Sequence, residues 1–149
     1  MIKKGKNSPL FITVTVVITM IILTGITALC IYLNSVNNYK EKVANTQINE
    51  IDISQIPDGS YIGYYDVGFI YAKVEVVVKD GSIINIKLLE HKNDRGSSAE
   101  SIISDIIKAQ SLNVDAVSGA TNSSTVIKKA VEIALTKAKM LDEHIQRNM

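Results

Sequence analysis

The 149-residue chain contains no tryptophan, two prolines and a single cysteine, and its charges almost cancel. Because one cysteine has no partner within the chain, the sequence excludes an internal disulfide and a cysteine-rich metal site. Three of the 16 basic residues, Lys3, Lys4 and Lys6, lie near the N-terminus, and the chain from Lys40 onward carries 13 basic against 15 acidic residues. Such a slightly acidic domain lacks the positive surface that nucleic acid requires, and we expect no nucleic-acid partner.

Charged residues are also absent from one long stretch, because none occurs between Lys6 and Lys40, and residues 9–33 form an apolar run. A helix needs about 20 apolar residues to span the hydrocarbon core, whereas the apolar region of a cleaved signal peptide has about 7–15. We therefore predict a retained transmembrane helix at residues 9–33. Its Cys30 is interpreted as a lipid-facing side chain, because bulky Leu29 precedes it where lipoprotein processing requires small residues.

Lysines flank this apolar run unequally, with more of them on its N-terminal side. The positive-inside rule then predicts a single-pass protein of the cell membrane, with the N-terminus inside and the rest of the chain on the extracytoplasmic side. The predicted organisation is a cytoplasmic N-terminus at residues 1–8, a transmembrane helix at residues 9–33, a polar linker at residues 34–55, a folded domain at residues 56–142 and a tail at residues 143–149.

The domain begins with strand patterns. Residues 59–67 are rich in tyrosine and residues 69–78 alternate between apolar and polar side chains, which favours two strands. Asp80-Gly81 is a strong hairpin signal, and residues 82–91 supply the partner strand. The faces predicted to be buried contain Ile70, Ala72, Val74, Val76 and Val78 on the second strand and Ile84, Ile86 and Leu88 on the third.

Two amphipathic helices are predicted after the strands, at residues 98–110 and 123–143, because apolar residues recur there at helical spacing. Ser97 or Ser98 is expected to cap the first helix. The buried stripes contain Ala99, Ile102, Ile103, Ile106 and Ala109 on the first helix, and Val126, Ile127, Ala130, Val131, Ala134, Leu135, Ala138 and Leu141 on the second. The predicted fold class is therefore α+β: a small antiparallel meander packed with two helices and preceded by one transmembrane helix.

The segment that points to chemistry is residues 114–125, VDAVSGATNSST, directly before the second helix. A helix start presents unpaired N–H groups and a partial positive charge, which suit phosphate. Gly119 and Ala120 allow a ligand to approach the backbone, and hydroxyls are supplied by Ser118, Thr121, Ser123, Ser124 and Thr125. Such residues also precede helices simply to cap them, so composition alone leaves both interpretations open. No acid–base pair or metal-ligand cluster accompanies the segment, and no catalytic residue or metal site is predicted.

The string SGAT at residues 118–121, with Asp115 three residues before it, resembles the flavinylation motif of the FMN-binding domain family. That family includes the covalent-FMN subunits of the sodium-pumping NADH:quinone oxidoreductase and of the Rnf complex, and the chain is similar to its small stand-alone version over residues 57–138. The resemblance implies FMN as the cofactor, joined through a phosphodiester to Thr121 by an ApbE-type flavin transferase. Residues 91–98 lack the Glu-Thr-Pro-Gly type loop of the larger subunits, which argues against assigning the chain to those complexes.

Further residues are predicted to contribute to the flavin site. Lys92 or Arg95 could offset phosphate charge or stabilise reduced flavin, and His91 could hydrogen-bond the ring, although each is alternatively a solvated loop residue. Asp115 could position the loop or contact the transferase's magnesium, or could simply cap the loop. The predicted cofactor-binding set is Thr121 as the covalent acceptor, with Ser118, Gly119, Ala120, Asp115, Ser123, Ser124, His91 and Lys92.

A threonine hydroxyl is a poor nucleophile without an activating base, and none adjoins Thr121 in the sequence, so a separate transferase is an expected partner. A single flavin on a membrane-tethered domain favours an electron carrier over a complete enzyme. The other expected contacts are a quinone- or NADH-oxidising donor at the membrane, an extracytoplasmic acceptor and membrane lipid. The alternatives are a non-redox sensor or adaptor with the same fold and a small flavin reductase.

Overall fold

The computed structural model describes residues 9–92 and 97–147. The chain divides into two compact units, Met1–Asn38 and Tyr39–Met149. The helices and strands are α1 (Pro9–Ala44), β1 (Gly59–Asp66), β2 (Tyr71–Lys79), β3 (Ser82–Lys92), α2 (Ile102–Ala109) and α3 (Thr121–Arg147), with short 3-10 segments at Ile53–Gln55 and Ser97–Ser101. The α+β class, with one long apolar helix at the N-terminus, is confirmed.

Helix α1 is, among the described residues, the one helix long and apolar enough to cross a membrane, with a mean hydropathy of 2.5 over its most apolar stretch. Five threonine hydroxyls in it donate to carbonyl oxygens three or four residues earlier, those of Thr13, Thr15, Thr19, Thr24 and Thr27. Because these hydroxyls are satisfied within the helix, they are compatible with a lipid environment.

The three strands form one antiparallel sheet in the order β1-β2-β3, which is the predicted meander. The β2 residues that were expected to be buried are buried: Ile70 just before the strand, and Ala72, Val74, Val76 and Val78 within it. At the β2–β3 turn, Asp80 and Gly81 have φ values of 51° and 68°. Positive φ at both central residues is what a two-residue hairpin of the type I′ kind requires, so the hairpin signal is confirmed.

The predicted buried face of β3 is wrong at its first residue. Ile84 is 54% exposed, whereas Ile83 is 2% exposed and belongs to the core. The cause is a β-bulge: Val77 pairs with Asn85 and Val78 with Ile83, so Ile84 has no residue opposite it and the alternation shifts. Ile86 is buried as predicted.

Helix α3 covers the inner face of the sheet. A Cβ added at Gly63 of β1 would collide with the Ala130 carbonyl oxygen, so the helix backbone rests directly on the strand. Further along α3, Lys137 Nζ donates to the Ile62 carbonyl at 3.3 Å. Because later residues of α3 lie beside earlier residues of β1, the two elements are antiparallel, and α3 begins at the end of the sheet where β1 ends at Asp66.

The ends of the helices differ from the prediction. Helix α3 begins at Thr121 instead of Ser123. Its predicted buried stripe holds through Ala138, but Leu141 is 59% exposed because it lies beyond the last buried turn of the helix. Helix α2 begins after a 3-10 segment, and its N-cap Ser101 makes no side-chain cap bond, so the predicted cap at Ser97 or Ser98 is not the α2 cap.

Helix α2 ends at Ala109, and the next residue, Gln110, has a left-handed φ of 50°. Ala109, predicted to be buried, is exposed. The Gln110 side chain then bonds to the outer edge of β3. Its Oε1 accepts from the Ile83 N–H at 2.7 Å, and its Nε2 donates to the Ile83 carbonyl at 2.9 Å. The side-chain amide thus connects α2 to the sheet.

Residues 45–51, called the strap, lie against α3 within the interval predicted to be a linker. Lys129 Nζ donates to the Gln47 carbonyl at 2.9 Å, and Asn49 Nδ2 donates to Glu132 at 3.0 Å. Glu132 is buried and also pairs with Lys129 at 2.8 Å. Residues on both sides of the strap are buried as well. Part of the interval predicted to be a linker, residues 34–55, therefore contributes to the core. The predicted domain boundaries stay predictions.

Candidate functional site

Residues 117–121 form a tight turn that leads into α3. The Ala120 N–H donates to the Val117 carbonyl at 2.9 Å, and Gly119 has a φ of 76°. A hydrogen bond across four residues with positive φ at the third is typical of a type II turn, where glycine is favoured because it has no Cβ. The backbone of the turn therefore explains the glycine of the SGAT string.

The hydroxyl of Ser124 holds this turn from inside the domain. Ser124 is fully buried, and its Oγ accepts a hydrogen bond from the Val117 N–H at 3.0 Å. Its own N–H donates to the Ala120 carbonyl at 2.9 Å, which starts the helix. Ser123 is buried beside it. The structure thus places these two predicted cofactor-binding serines in the interior, where Ser124 shapes the turn.

Exposed and buried residues alternate around the start of α3. Ser118, Gly119 and Thr121 are exposed, whereas Ala120 between them is buried. The Ala120 methyl anchors the chain, and Thr121 is left at the surface as the first residue of the helix. The Thr125 hydroxyl donates back to the Thr121 carbonyl at 3.0 Å. Of the hydroxyls in the segment, the exposed ones are those of Ser118 and Thr121.

The start of α3 fits a phosphate group. Ala120 precedes the helix, and its methyl cannot accept a hydrogen bond, so the side chain at this position does not cap the N–H groups of the first turn. A Cβ added at Gly119 would meet no atom within 4 Å, so the space beside the turn is open. An exposed hydroxyl, backbone donors and open space together suit a phosphoester on Thr121.

Lys128 holds the chain that leads into the turn. Its Nζ donates to the Val114 carbonyl at 2.9 Å. Asp115, the next residue, is exposed, and its carboxylate is accessible to a metal ion or a protein partner. Within residues 9–92 and 97–147, no group of three or more His, Cys, Asp or Glu side chains could hold a metal ion. The bond from Lys128 to this loop was not predicted from the sequence, although a spacing of seven residues places Lys128 and Thr121 on one helix face.

His91 and Lys92 lie at the same end of the sheet as the start of α3. The pairing of Asp66 with Tyr71, and of Tyr71 with Lys92, puts the end of β3 level with the end of β1. Lys92 is exposed. The His91 side chain is only 3% exposed, and its Nδ1 lies 3.2 Å from Glu100 Oε1. His91 therefore contacts the 3-10 segment Ser97–Ser101, while Arg95 lies outside the described residues.

A polar cleft of about 280 Å³ lies on the side of α3 that carries Lys128. Strap and loop residues form its other walls. The residues that line it are Ile48, Glu50, Ser111, Leu112, Asn113 and Lys128. No residue of this set other than Lys128 belongs to a helix or strand, so the pattern of the sequence could not place them together.

Comparison with known families gives one match. Residues 68–136 match the model of the FMN-binding domain. The matched interval includes β2, β3, α2, the turn at residues 117–121 and more than half of α3. No curated protein and no solved structure matches the chain.

Proposed function

Since residues 68–136 belong to the FMN-binding domain family, we propose that the chain is a membrane-anchored electron carrier whose FMN is covalently attached to Thr121. The family match supports FMN as the cofactor, and α1 is long and apolar enough to span a membrane. The covalent bond, the electron transfer and the orientation in the membrane are the further steps of the proposal.

The position of Thr121 is the observation that carries it. Thr121 is exposed and is the first residue of α3, so a phosphate on its oxygen would sit at the positive end of the helix. The neighbouring residues maintain this position, since Gly119 permits the turn, Ala120 anchors it and Ser124 bonds across it. Ser118 is also exposed, but it lies within the turn and outside the helix.

A separate enzyme is proposed to attach the flavin. Attack by a threonine hydroxyl on a phosphoryl group needs activation. An ApbE-type transferase, using FAD and a magnesium ion, would transfer the FMN moiety to Thr121 Oγ1 and release AMP, while the threonine proton is lost. The exposed Asp115 carboxylate, six residues earlier, is available to that transferase or its metal ion.

The bound flavin would supply the redox chemistry, and the protein would supply its location and electrostatic environment. A phosphodiester keeps FMN on the domain on the extracytoplasmic side, where dissociated cofactor would be lost. The proposed partners are a quinone- or NADH-oxidising protein at the membrane as donor and an extracytoplasmic protein as acceptor. The excess of lysine before α1 supports a cytoplasmic N-terminus.

The test is to produce the full chain in detergent with and without an ApbE-type transferase. After denaturation we expect flavin fluorescence to remain with the polypeptide, and the peptide containing Thr121 to gain the mass of FMN minus one water. Thr121→Ala should lose both signals, while Ser118→Ala should retain them.

Other outcomes distinguish the alternatives. Flavin that washes away on denaturation would overturn covalent attachment, and a protein that takes up no flavin would favour the sensor or adaptor. Steady-state turnover of the loaded protein with a soluble donor and a diffusible acceptor would favour a small flavin reductase over an electron carrier.

A further inference from the structure

The chain enters the domain at the end of the sheet that carries Thr121. The domain unit begins at Tyr39, which lies in the last two turns of α1. The centroid of the Tyr39 ring is 5.2 Å from that of Phe69, in the turn that joins β1 to β2. Thr46 Oγ1 and the Tyr65 hydroxyl share a hydrogen bond of 2.8 Å near the end of β1. These contacts hold the entry of the chain beside the end of β1, which is the end at which α3 begins.

The strap then carries the chain to the opposite end of the sheet. A Cβ added at Gly81, in the β2–β3 turn, would lie 3.3 Å from the Cα of Ser54. The Asp80 N–H of the same turn donates to the Asp58 carboxylate at 2.8 Å, directly before β1. Strand β1 therefore starts beside the β2–β3 turn and runs back toward Thr121. We call the two ends of the domain the entry end, with Tyr39, Phe69, Lys92 and Thr121, and the hairpin end, with residues 79–82.

The tether between the apolar run and the domain is shorter than the domain is long. The predicted transmembrane run ends at Leu33, six residues before Tyr39. Even fully extended, six residues span about 20 Å. Strand β2 has Tyr71 near the entry end and Lys79 at the hairpin end, and its eight residue steps span about 26 Å. A domain held by Tyr39 therefore cannot invert to bring its hairpin end to the membrane.

From these lengths and contacts we infer that the entry end of the domain faces the lipid surface, so that Thr121 and the flavin proposed to be bound there point toward the membrane. The inference rests on the proposed function, because it takes α1 as a membrane anchor and Thr121 as the acceptor. It adds that the donor at the membrane meets the flavin from the side of the bilayer, and that the hairpin end is turned toward the aqueous phase.

The side chains of the entry end are compatible with a lipid surface. Phe69 is exposed, and with Tyr39 it forms an aromatic pair of the kind that is enriched at membrane–water interfaces. Lys40 and Lys92 are exposed and can pair with phosphate headgroups. The exposed carboxylate of Glu41 offsets part of this charge. The short tether, more than the charge, therefore sets the orientation.

The closing experiment measures how close each end of the domain lies to the lipid headgroups. The full chain, with Cys30→Ser, receives one fluorophore at Lys92→Cys or at Lys79→Cys and is placed in nanodiscs whose phospholipid headgroups carry nitroxide. The two positions are a matched pair, because both are exposed lysines at the ends of strands. Since nitroxide quenches only over short distances, the Lys92→Cys label should lose most of its fluorescence and the Lys79→Cys label should keep most of it. Equal quenching, or stronger quenching at Lys79→Cys, would overturn the inference.

A second readout uses the flavin in place of a label. Flavin fluorescence of the transferase-treated full chain, compared with nanodiscs that lack nitroxide, should be quenched as strongly as the Lys92→Cys label. Covalent flavin quenched no more than the Lys79→Cys label would overturn the inference and leave the proposed function intact. Absence of covalent flavin would overturn the proposed attachment at Thr121, whereas the two labels would still decide which end of the domain faces the lipid.

Discussion

Two glycines lie next to helix α3: Gly63 of β1 packs against the helix, and Gly119 lies just before its first residue. They are glycines for different reasons. At Gly63, in the middle of the sheet, an added Cβ would collide with a backbone oxygen of the helix. At Gly119, before the helix, an added Cβ would meet nothing within 4 Å, and the positive φ alone favours glycine. The first glycine permits close packing of the fold. The second permits a turn whose surroundings stay open, as a ligand site requires.

The largest expected effect is that of Gly63→Ala. The added methyl group would collide with the α3 backbone at Ala130, which cannot move without separating the helix from β1. We expect the free energy of unfolding to fall by about 3 kcal/mol or more. Chemical denaturation of the full chain in detergent, followed by circular dichroism, would measure this. A stability equal to that of the parent would show that the contact between α3 and β1 is looser than in the structure.

Ser124→Ala should have the next largest effect. It removes the acceptor of the Val117 N–H and leaves that partly buried donor without its bond, at a cost of about 2 kcal/mol. Because the same bond shapes the turn before Thr121, flavin attachment by the transferase should also slow. Ser101→Ala, which removes a hydroxyl that bonds to the Ser98 carbonyl instead of to the turn, is the control. An unchanged attachment rate in Ser124→Ala would show that the turn holds without the serine.

Comparing Gly119→Ala with Gly68→Ala distinguishes a specific effect of the turn on flavin attachment from a general effect of backbone strain on stability. Both glycines have positive φ, 76° and 98°, and neither has a neighbouring atom where a Cβ would lie. Each substitution should therefore cost about 1 kcal/mol through backbone strain alone. Only Gly119→Ala should also reduce covalent flavin, measured by absorbance of denatured protein. Equal flavin content in the two variants would contradict a specific role for the turn.

Ser118→Ala should have the smallest effect, because Ser118 is exposed. Its stability should stay within about 0.5 kcal/mol of the parent. Flavin content after incubation with the transferase should equal that of the parent as well. A loss of attached flavin comparable to that of Thr121→Ala would instead identify Ser118 as an acceptor, and peptide mass spectrometry would locate the modified residue.

Features that depend on neighbouring residues in the chain could be predicted from the sequence. The Asp80-Gly81 turn, the alternating face of β2 and the helical stripe of α3 are each a local pattern with a single structural meaning. Thr121 was proposed as the covalent acceptor because the consecutive residues 118–121, SGAT, resemble the flavinylation motif of the FMN-binding domain family. The turn at Gly119 was not predicted and became visible only in the structure.

Features that depend on distant contacts could not be predicted in this way. The bulge that buries Ile83 instead of Ile84 is decided by pairing with β2. The pairing of the strap with Glu132 joins residues 83 positions apart. The Val117 N–H donates to Ser124, and a serine near a helix start is also a common helix cap, so only the burial of Ser124 shows that its side chain faces inward.

The side chains that bond to the sheet edges affect how copies of the protein meet one another. A three-stranded open sheet has two edges, and unpaired N–H and C=O groups on an edge can recruit a strand from another chain. On β3, Gln110 occupies both backbone groups of Ile83, and a bulge interrupts the strand beside it. On β1, Lys137 occupies the Ile62 carbonyl. Each edge therefore has fewer free backbone groups with which a strand of another copy could pair.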